Sequence, residues 1–176
     1  MPDRPGQTRE SLPDYLGDAL DVVFVGVPAY DELSEEGHYY VDPHDRFWDL
    51  VNEAELVSDI VGAENDHLIL DEKCGLTVLT RRKPAASEVG PNAGGFDVDG
   101  FIGKVERYKP KIVAFNGKIA YRAVFKQDPG DYGLTDDIIG DSYVFALPSS
   151  SERDASLTFQ KKLHWYKKLK ATMRTL

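Results

Sequence analysis

At 176 residues and 41% hydrophobic content, the chain can bury one sizeable core and is short for two ordinary domains. Its longest apolar runs, Val22 to Ala29 and Val144 to Leu147, fall far short of the roughly 20 residues a membrane span needs, and a single cysteine excludes an internal disulfide or a cysteine-cluster metal site. The net charge of -9 argues against a polyanionic partner until its distribution is read: 101–126 holds seven basic residues against Glu106 alone, and 151–176 holds seven against Glu152 and Asp154. Those stretches are either contact surfaces for a polyanion or the solvated faces of two helices.

Residues 1–11 are polar, lack the apolar stretch of a secretory signal, and read as a flexible tail before one domain over 12–176 of an intracellular protein. Asp21 to Val27 is a continuous β-branched run of the kind buried on both faces of a sheet. Pro43 to Val57 follows as a helix, with Asp42 as its cap and Phe47, Leu50, Val51 and Ala54 at helical spacing. Gly75 to Leu79 is a second strand, with Cys74 beside it as a buried, inert thiol. Proline and glycine make 83–98 a loop, Asp99 caps a helix through Tyr108, and Lys111 to Phe115 is a third strand. Asn116-Gly117 turns the chain into a helix over Lys118 to Phe125, and the glycine- and aspartate-rich 127–141 reads as a connection. Ser142 to Leu147 is the fourth strand, and the last helix runs from about Leu157 to Arg174.

This alternation predicts an α/β three-layer sandwich around a mostly parallel, four-stranded sheet, with ligands bound beyond the carboxyl ends of the strands. Three segments fall there: Val27 to Tyr30, Asn116 to Lys118, and Pro148 to Arg153. His38, His44, His67 and His164 show no ligand spacing, so no metal site is read from them, and no glycine-rich nucleotide fingerprint supports a small-metabolite binder.

The segments Val22-Val23-Phe24-Val25-Gly26, Gly37-His38-Tyr39-Tyr40 and Arg46-Phe47-Trp48 carry a family resemblance. So do Cys74-Gly75-Leu76-Thr77, Lys109 to Lys118, and Leu147-Pro148-Ser149-Ser150-Ser151 with Arg153. In this order and spacing, from about Leu12 to Leu169, the chain resembles the mismatch-specific uracil/thymine DNA glycosylases. The resemblance implies a uracil-DNA glycosylase-like fold, a monomer without cofactor, and double-stranded DNA with a mismatched or damaged base as partner. Such enzymes flip the nucleotide into a pocket, because its glycosidic bond is out of reach inside the stack.

By this resemblance Tyr40 stacks on the flipped base, unless it is a half-buried core tyrosine. Ser149 and Ser150 grip flanking phosphates and Arg153 enters the duplex, unless the serines merely form a turn. Asn116, Gly117 and Lys118 offer helix-start amides and a cation to phosphate. The family's first motif, Gly-Ile-Asn-Pro-Gly, orients the attacking water through its asparagine, but here it reads Gly26-Val27-Pro28-Ala29-Tyr30. Proline offers neither a side-chain polar group nor an N–H. Val27, Pro28 and Tyr30 would wall the pocket, and Val78 replaces a polar pocket residue. Either a carboxylate has taken over water activation, with Asp45 first and Asp31 second, or the chain binds mismatched or damaged DNA without excising a base. Asp31 has an alternative as a turn residue.

Overall fold

The computed structural model describes residues 12–27, 37–80, 86–87 and 95–176. The expected tail over 1–11, Pro28, Tyr30, Asp31 and most of the 83–98 loop lie outside them. Five strands, β1 (Val22–Gly26), β2 (Cys74–Val78), β3 (Ile112–Asn116), β4 (Gly133–Ile139) and β5 (Ser142–Leu147), form one sheet in the order β2-β1-β3-β5-β4. All neighbours are parallel except the β4–β5 pair. Among the described residues, four α-helices accompany them: α1 (Phe47–Glu53), α2 (Val98–Tyr108), α3 (Lys118–Phe125) and α4 (Phe159–Thr175). A 3₁₀ segment spans Ala63–Glu72. Among the described residues, no helix is long and apolar enough to cross a membrane.

The two-residue period of β1 divides the core. Val22 and Phe24 enter one cluster with Phe47, Leu50, Leu163, Tyr166 and Leu169, so α1 and α4 cover that face. Val23 and Val25 enter the other with Phe101, Val105, Ala120 and Tyr121, so α2 and α3 cover the opposite one. Phe47 is fully buried and anchors the first cluster, edge-on to Phe24 at 5.2 Å and to Trp48 at 5.0 Å.

The sheet thus has five strands rather than four, because 133–139 is a strand and not connection. As an edge strand, β4 needs only one partner, β5, and it tolerates Asp136 and Asp137 and an irregular register between Leu134 and Ile138. Tyr121 donates its hydroxyl hydrogen to Asp137, and the Thr135 hydroxyl donates to the carbonyl of Val144 at 3.0 Å.

Two helix starts also differ from expectation. Asp42 Oδ1 accepts the His44 amide at 2.8 Å, which closes a turn, and Asp45 Oδ1 accepts the Phe47 amide at 2.9 Å, so α1 opens only at Phe47. For α2 the cap is Asp97, whose Oδ1 accepts the Gly100 amide at 3.0 Å, and Asp99 falls inside the first turn. Cys74 is fully buried as expected, and burial pushes its thiol up to about 12.

Asp66, in the 3₁₀ segment, is a fully buried acid. It accepts from the Tyr39 amide at 2.8 Å, from Tyr15 Oη at 3.1 Å and from His38 Nδ1 at 3.1 Å, and so fixes the chain entering Tyr40. Asp66→Ala strands three donors, two of them part-buried, and is expected to cost about 3 kcal/mol in a urea unfolding curve.

Candidate functional site

The carboxyl ends of β1, β3 and β5 open into a cleft of about 790 Å³. Of the residues singled out from the sequence, it brings together Val27, Tyr40, Asp45, Asn116, Gly117, Lys118, Ser149, Ser150 and Arg153. Val78 is elsewhere: it pairs with Gly26 in the β1–β2 register and is buried in the core, so it does not wall the cleft. Pro28, Tyr30 and Asp31 lie outside the described residues.

Asp45 lies in the turn before α1, not on the helix itself. Its Oδ1 accepts the Ser150 hydroxyl at 2.7 Å as well as the Phe47 amide. Burial pushes its carboxyl above the usual aspartate value, opposed by these two hydrogen bonds. Ser150, only 1% exposed, is held from a second side by Asn116, whose Oδ1 accepts the Ser150 amide at 2.9 Å and whose Nδ2 donates to Ser150 Oγ at 2.7 Å. Ser150 is therefore a strut between β3 and Asp45, and its hydroxyl is engaged inside the protein. Ser149 is only partly buried and lines the cleft.

The 42–46 and 149–154 loops are joined along their backbones as well. Arg46 N–H donates to the carbonyl of Ser150 at 2.9 Å, and Glu152 N–H donates to that of His44 at 2.8 Å. From α4, the nearly buried Lys162 ammonium donates to the carbonyls of Ser151 at 2.9 Å and Asp154 at 2.7 Å. Burial lowers the Lys162 pKa, against the attraction of Asp154 and Asp45.

Tyr40 is half-buried at the mouth of the core. Its ring stacks on Phe47 with centroids 4.0 Å apart and planes 27° apart, while it also lines the cleft. Its φ of 55° is one that non-glycine residues rarely adopt, held by the Asp66 clamp one residue earlier. A Cβ on Gly26 would come within 2.8 Å of its hydroxyl, so glycine is what lets the ring lie against the end of β1. Gly117 has φ 92° and faces Ser149, with space for a Cβ only at 3.4 Å from the serine's own; it turns β3 directly into α3.

The cations of the cleft are paired. Arg153 Nη1 meets Asp42 Oδ2 at 2.5 Å, and Lys118 Nζ donates to the Gly130 carbonyl at 2.9 Å and lies 3.4 Å from Asp128. Arg122 and Tyr132 also line the cleft and were missed in the sequence. Arg122 follows Lys118 by one helical turn, a spacing that would have placed both on one side of α3. Tyr132 lies in an irregular connection that carries no such signal. Among the described residues, no group of three or more His, Cys, Asp or Glu is placed to hold a metal ion.

A mostly parallel sheet covered by helices on both faces, with a polar cleft at its strand ends, defines an α/β protein whose ligand site is built from strand-end loops. A family model described as the uracil DNA glycosylase superfamily matches residues 13–170, and the chain belongs to that superfamily. The fold is similar to the solution NMR structure of a candidate uracil DNA glycosylase from Methanosarcina acetivorans. The TM-score is 0.59 at 18% identity, covering 93% of this chain and 99% of that one.

Ser150 makes the acidity of Asp45 directly testable. Its hydrogen bond favours the carboxylate, so in Ser150→Ala the Asp45 midpoint is expected to move further up, read from the carboxyl ¹³C shift in an NMR titration.

Proposed function

We propose that this chain is a monofunctional DNA glycosylase. It flips a mispaired or deaminated base, uracil or thymine opposite guanine, out of duplex DNA into the strand-end cleft and hydrolyses its N-glycosidic bond. It does so as a monomer, inside the cell, in base-excision repair, without a cofactor. Membership of the superfamily supports the reaction class.

The observation that carries the catalytic assignment is the position of Asp45. Among the described residues both hydrogen bonds to its side chain fall on Oδ1, and the residue lines the cleft, so Oδ2 is the oxygen for a water. Oδ2 takes a proton from the water as its oxygen bonds to the sugar C1′; the C1′–N bond breaks and its electron pair leaves with the base. The same carboxylate stabilises the positive charge that develops on the sugar. Tyr40, backed by Phe47, presents a platform for the extruded base, worth about 1–3 kcal/mol in stacking. Asp31 is the second candidate for water activation, on sequence grounds alone.

One observation favours a second reading. The bonds of Asp45 to Phe47 and Ser150 give it a structural task, so it would be retained in a relative that binds mismatched or damaged DNA without excision.

Single-turnover incubation with labelled duplexes carrying G·U, G·T or inosine opposite cytosine, followed by alkali, separates the two. Cleavage is expected on one of these duplexes, falling about 10²- to 10⁴-fold in Asp45→Asn. Because Asn keeps an Oδ1 acceptor and removes a part-buried charge, that variant should melt no lower than the parent near neutral pH. Binding without cleavage on any duplex would overturn the enzyme reading. The active form is the ionised one and burial raises the Asp45 pKa. The single-turnover rate should therefore fall as pH is lowered through a midpoint above the ordinary aspartate value.

A further inference from the structure

Two acids that pair with cations of the cleft are built alike, Asp42 in its wall and Asp128 just outside it. Asp42 uses Oδ1 to accept the amide two residues on, His44 N at 2.8 Å, and gives Oδ2 to Arg153 Nη1 at 2.5 Å. Asp128 uses Oδ1 for the amide two residues on, Gly130 N at 2.9 Å, and gives Oδ2 to Arg122 Nη2 at 2.5 Å and Nε at 3.2 Å. Lys118 Nζ is 3.4 Å from the same carboxylate and 5.0 Å from the Tyr132 ring centroid. The first pair belongs to the loops beside α1 and α4 and the second to α3, so they come from elements on opposite faces of the sheet. Arg153, Arg122 and Lys118 all line the cleft.

An oxygen anion accepting two N–H bonds from one guanidinium, with an ammonium alongside, is the arrangement in which arginine and lysine hold a phosphate. We propose that Arg122, with Lys118, seats one DNA phosphodiester at the cleft and that Arg153 seats another, in place of the duplex-entering role the resemblance implies for it, and that Asp128 and Asp42 fill the two seats until a DNA phosphate displaces them. The inference rests on the cleft receiving DNA. Exchange is cheap because the arginines are largely exposed, at 53% for Arg122 and 68% for Arg153, and exposed ion pairs contribute little. The arrangement lowers affinity for DNA in general, since each phosphate contact must first break an internal one.

The test is duplex binding by the full chain and by Asp42→Asn, Asp128→Asn and Arg122→Gln, over a salt series, on a matched duplex and one carrying G·U. Asparagine keeps the Oδ1 acceptor and hence both turns. The two Asp→Asn variants are expected to bind about two- to fivefold tighter at low salt, with the gain closing as salt rises. Arg122→Gln should bind more weakly, with a log–log salt slope shallower by about one. A parent that binds DNA while the variants match it in affinity and slope would remove the two seats and leave the DNA reading standing. No binding by any of the four proteins to either duplex at low salt would remove the DNA reading and the seats with it.

Discussion

Asn116 ends β3 with both halves of an amide, and the cleft is organised by how it spends them. The oxygen takes the Ser150 backbone, the nitrogen takes the Ser150 side chain, and the serine hydroxyl hydrogen is thereby directed at Asp45. Asp45 in turn accepts the first amide of α1. One chain of polar contacts thus runs from the middle of the sheet, through the loop after β5, to the helix on the far side. Each member is at least part-buried, so none can be removed without stranding its neighbour. A carboxylate whose burial opposes ionisation is kept where the cleft needs it by two donors that favour the charged form.

The charge of the molecule is resolved in the same local way. A chain of net charge -9 is an unlikely partner for DNA on composition, and the basic stretches do not simply amount to a positive face. Lys118, Arg122 and Arg153 face the cleft, but each is matched by an aspartate within 3.4 Å. Lys162 is turned inward as a fastener for the 149–154 loop. Basic residues in the sequence therefore divide into those that meet solvent at the cleft and those that hold its walls, and spacing alone does not separate them.

What was legible in the sequence follows from how much of each segment is buried. Strands β1 and β3 are enclosed along their length and read as apolar runs, β5 does the same beyond the exposed Tyr143, and Asn116-Gly117 marks the turn into α3 because the backbone there needs φ 92°. Strand β4 was hidden because an edge needs only one hydrogen-bonded partner and admits aspartates. The start of α1 was misplaced because Asp42-Pro43 has the chemistry of a cap, yet Asp42 closes its own turn, Asp45 closes another at Phe47, and the helix opens after Arg46 with no side-chain cap. In the site, strand-end position collected most of the cleft residues. It did not reveal that Ser150 faces inward, that Val78 belongs to the core, or that Arg122 reaches the cleft, because these depend on side-chain direction across elements far apart in sequence.

The loop that walls the cleft is fastened by a residue the ribosome adds later. Lys162 follows Ser151 and Asp154, and the apolar residues of α4 that cover Phe24, Phe145 and Leu147 come later still. Until α4 is made, that face of the sheet is covered by α1 without α4, and the carbonyls of Ser151 and Asp154 lack their lysine. Completion of the core and completion of the cleft are then a single event, set by the arrival of one helix. A nascent chain halted before α4 would present apolar surface to quality control and an unfinished cleft.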